Sequence, residues 1–273
     1  MRIVKEIARR SLLRRILHVA ELYFGGASTI YPEPLELQTN ADAPILILTP
    51  HADDETLGMG GTIHDHVTAG HSVVVLEIAS SGNSIRVSEE QRRFDVAYQR
   101  RREFSEAMKS YGIIRYMYCG LREVNSGRGV DAIGMLLSSL TPGVIYLPSP
   151  FDNHHDHRKL NALMCAVLRT ASSGWKPVIR MYEVWTPMPA NRVHDISHRV
   201  DAKREAIQSY TTQNANINYA RSILGLNAYR AMTFGDRRVT HAEAFLEGSR
   251  VEFQNTIEQY FYTNHHRSKK WKK

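Results

Sequence analysis

The chain has 273 residues, 42% hydrophobic and 23% charged, with a formal net charge of +7, the balance of a soluble globular protein long enough to bury one large α/β core. Its two cysteines, Cys119 and Cys165, stand far apart and in no CxxC arrangement, so neither a disulfide framework nor a thiolate zinc site is implied and a reducing compartment fits. No apolar run reaches the ~18 residues that span a bilayer.

The positive charge is concentrated at the ends. Arg2, Lys5, Arg9, Arg10, Arg14 and Arg15 oppose Glu6 at the start, while Arg267, Lys269, Lys270, Lys272 and Lys273 crowd the finish. Together they outweigh the whole net charge, so the body between them is acidic. A nucleic-acid reading would rest on two tails, with no recognisable binding module or series of stacking aromatics behind it, and no nucleic-acid partner is expected. The first 24 residues, MRIVKEIARRSLLRRILHVAELYF, are broken by paired arginines too often to supply a signal-peptide core. They read as a helix of mixed basic and apolar positions, suited either to an anionic membrane surface or to packing on its own domain. The expected location is cytoplasmic, peripheral at the inner face of the membrane where the basic ends engage lipid.

GGASTIYPEPLELQTNADAP then reads as a loop from its Gly, Pro, Asn and Asp content. Pro44 to Thr49, PILILT, runs apolar without alternation, as a strand covered on both faces does. The pattern repeats at 71 to 80 (HSVVVLEIAS) and 143 to 150 (GVIYLPSP), with 112 to 120 (GIIRYMYCG) a weaker fourth. Helices alternate with these strands at Thr56 to Ala69, Glu89 to Tyr111, Ala132 to Leu140 and His157 to Ala171. The alternation predicts a Rossmann-like α/β fold, a mostly parallel sheet with helices on both faces. It also predicts a basic helix and loop over 1–42, one domain over 43–250, and a helix end with a basic tail over 251–273.

Two clusters follow predicted strands. His51, Asp53, Asp54 and Glu55 come directly after PILILT, and FDNHHDHR, residues 151–158, comes after GVIYLPSP. Ligands in such sheets sit beyond the carboxyl ends of the strands, which can bring the clusters together. Three consecutive acids resist ionisation unless a cation or a helix end shares their charge. A helix start explains the acids but not the adjoining histidine. Imidazole and carboxylate are the ligand types of catalytic zinc, which keeps three protein ligands and one open position. A dication would let neighbouring aspartates stay ionised, one as ligand and one as general base.

PHADDETLGMGG resembles the (P/A)HPDDE signature of the LmbE-like/PIG-L zinc N-deacetylases, and HHDH resembles that family's HPDH. Ala52 and His155 stand where the family usually has proline. The resemblance implies the LmbE-like deacetylase fold and removal of an acetyl group from an N-acetylglucosamine-type conjugate in cell-surface glycan, glycolipid or natural-product biosynthesis. It makes His51, Asp54 and His157 the ligands of Zn2+, with Fe2+ fitting the same set. Asp53 becomes the general base, His154 the stabiliser of the oxyanion, and Asp156 a partner that orients a histidine. RRREFSEAMKSYG resembles the family helix R-x-x-E-x-x-x-A-x-x-x-L-G, with Tyr111 in place of the leucine, and points to Arg100 as a contact to substrate hydroxyls and Glu103 as its companion. Glu123 stands where many members carry a sugar-binding aspartate. YEVWTPMPANRVHDIS and KREAIQSYTTQ resemble the family's C-terminal portion, so the likeness runs from about Ile45 to Phe245.

Two rivals use the same residues. His51-Ala-Asp53 with a distant histidine also spells the HxD…H triad of non-haem iron oxygenases, but that triad normally sits on a β-sandwich barrel, whereas here Asp53 precedes a helix in an alternating α/β pattern. A non-catalytic basic binding protein would show salt-sensitive binding and no need for metal. GMGG, residues 58–61, does not follow GxGxxG and reads as close helix packing rather than a dinucleotide loop.

Overall fold

The computed structural model describes residues 32–37, 43–79, 90–121, 127–215 and 217–270. The basic segment over 1–24 and Glu123 lie outside the described residues, as do the side chains of the basic tail. Eight strands form one sheet among the described residues: β1 (Glu33–Pro34), β2 (Ile45–Thr49), β3 (Val73–Ala79), β4 (Tyr116–Leu121), β5 (Val144–Pro148), β6 (Val178–Tyr182), β7 (Arg192–Asp195) and β8 (Ala242–Ser249), in the order β1-β7-β8-β6-β5-β2-β3-β4. From β4 to β6 every neighbour is parallel; β8 is antiparallel to both β6 and β7. The helices are α1 (Asp54–Thr68), α2 (Glu90–Tyr111), α3 (Gly127–Leu140), α4 (His155–Thr170), α5 (Val200–Ser209), α6 (Thr211–Asn214), α7 (Tyr219–Ala231) and α8 (Arg250–Lys270).

The unbroken hydrocarbon of β2 has a direct cause. Ile45 and Ile47 face one core with Met59, Phe104 and Ile207, while Leu46 and Leu48 face a second with Leu137, Leu160 and Phe253. Successive side chains of a strand point to opposite faces, so a strand covered on both sides has no polar position to spare. The chain leaves β2 for β3 and β4 on one side and later returns to β5 on the other, which makes the gap beyond the carboxyl ends of β2 and β5 a topological switch point.

Some boundaries differ from the sequence expectation. β4 begins at Tyr116 rather than Gly112, because Gly112 takes a positive φ of 79° and ends α2 instead. Helix α3 starts at Gly127, five positions before Ala132, and α4 starts at His155, two before His157. Glu33 and Pro34, inside the expected loop, pair with β7.

The GMGG stretch is close packing. A Cβ on Gly58 would stand 2.2 Å from Tyr182 Cδ2, and one on Gly61 would stand 2.5 Å from Ile196 Cγ2. Helix α1 also kinks at Met59 (φ −146°, ψ 26°). The restarted helix has backbone donors to satisfy, and Glu243 of β8 accepts from Gly61 N at 2.9 Å, Thr62 N at 2.8 Å and Thr62 Oγ1 at 2.6 Å. Lys203 Nζ neutralises that carboxylate at 2.6 Å, with both side chains fully buried. Breaking a buried pair from one side leaves a charge uncompensated, so Lys203→Met is expected to cost about 3–5 kcal/mol. Urea denaturation measures it, and a loss within error of zero would show that Glu243 is already balanced by its helix donors.

Candidate metal centre

The two clusters meet at the switch point. After β2, Thr49 Oγ1 donates to the His51 carbonyl at 2.6 Å, and His51 N donates to Asp54 Oδ2 at 3.0 Å. Asp53 takes the left-handed region (φ 119°, ψ −29°) and makes no side-chain cap bond to α1. That turn directs two adjacent aspartates differently. Asp54 Oδ2 lies 3.2 Å from His51 Nδ1 and 3.1 Å from His157 Nε2. After β5, His154 caps α4 and places His157 one turn inside it.

His51, His154 and His157 each bring one ring nitrogen within 4.8 Å of the others. Their hydrogen bonds separate their roles. His154 Nδ1 accepts from Asp156 N at 3.3 Å, which assigns its proton to Nε2 and leaves that nitrogen a donor without a lone pair for a metal. Burial and the neighbouring His51 and His157 lower its pKa and keep it neutral. His51 Nε2 faces Asp156 Oδ2 at 3.3 Å, and His157 Nδ1 faces Asp152 Oδ2 at 3.4 Å without a well-aligned hydrogen bond. Each of these two rings thus turns one nitrogen to a carboxylate and the other to Asp54, the arrangement that orients metal-ligating histidines. Tetrahedral ligands at 2.0–2.1 Å from zinc stand ~3.3 Å apart, close to the 3.1 and 3.2 Å found around Asp54. The donor set His51, Asp54 and His157 therefore fits a dication.

Without a metal, the same contacts set the protonation of the cluster. Burial opposes charge on His51, yet its bonds to Asp156 and Asp54 raise its pKa to about 10. His157, equally opposed by burial, is raised to about 9 by Asp54 and Asp152. Asp54 overcomes its own burial through these histidines and is held far below the carboxylate range. Asp53 goes the other way: burial, then the charges of Asp54 and Glu55, push it well above that range, with His51 and Arg100 offsetting part. Adjacent carboxylates whose environments separate their pKa values have separate tasks. Glu55, fully buried, has a third: its Oε1 accepts from Tyr210 at 2.6 Å and Thr56 at 2.9 Å, and its Oε2 from Asp53 N at 3.3 Å.

The structure brings His51, Asp53, Asp54, His154, Asp156 and His157 together. Arg100 reaches the same place: it donates to Gln213 Oε1 at 2.9 Å, and Gln213 Nε2 donates to the Ala52 carbonyl at 3.1 Å. Glu103 accepts from Thr211 Oγ1 at 2.6 Å and Thr212 N at 3.0 Å, which fixes that segment. Sequence reasoning assigned no role to Asp152, Tyr210 or Gln213. Asp152 carried a signal, an acid in the same stretch as a candidate ligand histidine. The other two act across more than 100 positions and offer no local one.

Residues 46–168 match the PIG-L family, described as GlcNAc-PI de-N-acetylase. Among solved structures the chain is similar to N,N'-diacetylchitobiose deacetylase from Pyrococcus horikoshii (18% identity, TM-score 0.67, covering 86% of this chain and 92% of that one). It is similar to 4-carboxy-2-hydroxymuconate hydratase from Pseudomonas putida KT2440 (18%, 0.62, 75% and 95%). It is also similar to the zinc-inhibited form of a teicoplanin deacetylase (13%, 0.59, 75% and 97%). At these identities the likeness shows the fold, and a hydratase among the neighbours means that the reaction has to be argued from the site.

His51 and His157 have folded pKa values above their unfolded 6.5, so their contribution is fully present below pH 6.5 and is lost as pH rises through about 9 and about 10. Metal-free protein is expected to lose stability over that window. Thermal unfolding of chelator-treated protein from pH 6 to 10 checks it, and a flat profile would contradict the proton-sharing described here.

Proposed function

Residues 46–168 form a PIG-L family domain, and from that premise we propose that the protein is a metal-dependent hydrolase that removes the N-acetyl group from an N-acetylglucosamine-type sugar conjugate and releases acetate. The observation that carries the reading is the division between Asp53 and Asp54: one carboxylate is engaged by two imidazoles and ionised, its neighbour is free of side-chain hydrogen bonds among the described residues and driven toward the protonated form. The name of the Pyrococcus relative, an N,N'-diacetylchitobiose deacetylase, supports an amino sugar as substrate. The catalytic domain is read as 43–250.

His51, Asp54 and His157 would hold Zn2+, with Fe2+ fitting the same donors. When bound, the ion would supply Lewis acidity toward the acetamide carbonyl and lower the pKa of a water. Asp53, beside it, takes the proton of the attacking water and returns it to the departing nitrogen, so the amide C–N bond breaks to acetate and a free amine. His154 presents Nε2–H to the carbonyl oxygen as negative charge develops there, a contribution of about 2.7–4 kcal/mol for such donors. Asp156 and Asp152 face the far nitrogens of His51 and His157 and orient the two rings. Arg100, buried beside Asp53, is placed to meet substrate hydroxyls.

No helix among the described residues is long and apolar enough to cross a membrane. The basic ends support peripheral contact of a cytoplasmic enzyme with anionic lipid, at about 1 kcal/mol per side chain near the surface.

Asp53→Asn is expected to keep the metal and lose about 10²–10⁴-fold in turnover, whereas Asp54→Ala should lose the metal itself. Acetate release from N-acetylglucosamine conjugates, alongside metal content by elemental analysis, separates the two. Full activity in Asp53→Asn would overturn the mechanism.

A further inference from the structure

The loop after β6, which carries an indole, is tied by its backbone to the carboxylate that faces His157. Glu183 Oε1 accepts from Met188 N at 2.7 Å and closes residues 183–188 into a turn. Arg230 of α7 grips that turn twice, through the Glu183 carboxylate and the Met188 carbonyl at 2.6 Å. On the other side Trp185 N donates to Asp152 Oδ2 at 2.8 Å, the same oxygen that faces His157 Nδ1, and Asn153 N donates to Thr186 Oγ1 at 3.0 Å. Polar atoms therefore fix the loop without help from the Trp185 side chain, which remains 48% exposed. Tyr219, the first residue of α7, meets the indole edge to face with ring centroids 5.7 Å apart. It is half-buried, and burial together with the Asp53 and Asp54 charges pushes its hydroxyl up to about 12, which places it within electrostatic reach of the proposed base. The ring pair thus joins an indole open to solvent with a half-buried phenol that feels the charges of Asp53 and Asp54.

Leaving a tryptophan half in water forgoes part of the burial free energy it would gain in a core. The loop is held by its polar atoms, so the fold does not require a tryptophan at this position.

We infer that Trp185 and Tyr219 form the wall on which the pyranose ring of the substrate packs, and that they are specificity-determining residues; the inference rests on the amino-sugar deacetylase reading. A hexopyranose carries C–H groups on its ring faces and hydroxyls around its rim. The aromatic wall takes a face, while the rim is left to polar groups such as Arg100. An acetamido group on a packed ring is thereby brought to the end of the wall, where Asp53 stands.

The test compares zinc-loaded wild type, Trp185→Ala and Trp185→Phe on N,N'-diacetylchitobiose and on N-acetylethanolamine, which has the amide but no ring. Trp185→Ala is expected to raise KM for the sugar about tenfold with kcat nearly unchanged, the scale of one lost aromatic contact. Trp185→Phe should restore most of the loss, and kcat/KM for N-acetylethanolamine should not differ between variants. An unchanged KM for the sugar overturns the inference, and so does an equal loss on both substrates, which would mean a structural role. Should wild type release no acetate from either compound, the deacetylase reading fails separately. Calorimetric titration of N,N'-diacetylchitobiose then decides the wall: weaker binding to Trp185→Ala supports it, and equal or absent binding to both proteins overturns it.

Discussion

Buried negative charge at the carboxyl ends of β2 and β5 has to be balanced, and each carboxylate there is balanced differently. Asp54 faces two imidazoles. Glu55 takes a tyrosine hydroxyl and a threonine hydroxyl. Asp152 accepts two backbone N–H groups, from His154 and Trp185. Asp156, partly exposed, has His51 and, at 3.5 Å, Lys159. Asp53 is the carboxylate of this group that no side chain or backbone donor among the described residues engages, which is why burial moves its pKa upward while its neighbour's falls. A group that must gain and lose a proton during turnover cannot also be held permanently in one charge state by strong donors. The lack of a partner is thus what the role proposed for Asp53 requires.

The rest of the fold keeps this charge pattern in place through a second set of buried ion pairs. Lys203 with Glu243 secures the kink that lets α1 run close under Tyr182 and Ile196. Arg180 of β6 donates to Glu247 of β8 at 2.8 Å and to Tyr146 of β5 at 2.7 Å, which ties three adjacent strands together behind the site. Such pairs add little net stability over apolar replacements, but they penalise every other register of β6 and β8.

Those same pairs explain what could be read from sequence. β2, β3 and β5 were legible because both of their faces are largely hydrocarbon, with Glu77 the single charged residue in the three strands. β8, AEAFLEGS, and β6, VIRMY, carry Glu243, Glu247 and Arg180, whose partners are supplied from elsewhere in the chain; one strand in isolation looks too polar for a sheet interior. The two His and Asp clusters were legible because each is covalently local and follows a strand. Their convergence followed from that shared placement, but the separate tasks proposed for the three imidazoles came only from the family resemblance, since a ligand and a hydrogen-bond donor are distinguished by what lies on the far nitrogen of the ring. Tyr210 and Gln213 were illegible for a related reason: their importance comes from Glu55, Arg100 and Ala52, at the other end of the domain.

The turn at Asp53 connects these arguments. A non-glycine residue held at a φ of 119° costs on the order of 1–3 kcal/mol and persists where the surroundings over-determine it; here the Asp53 carbonyl is committed to Leu57 N at 2.8 Å and its amide faces Glu55 at 3.3 Å. Regular helical geometry through 53 and 54 would set the two side chains about 100° apart around one axis, on the first turn of α1, where both would share the helix N-terminus. The left-handed step removes Asp53 from that competition. Asp54 alone turns toward the histidines, and Asp53 is freed from the helix end as well as from the imidazoles. The backbone step thus keeps one carboxylate uncommitted beside another that is fully engaged, the division on which the proposed chemistry rests.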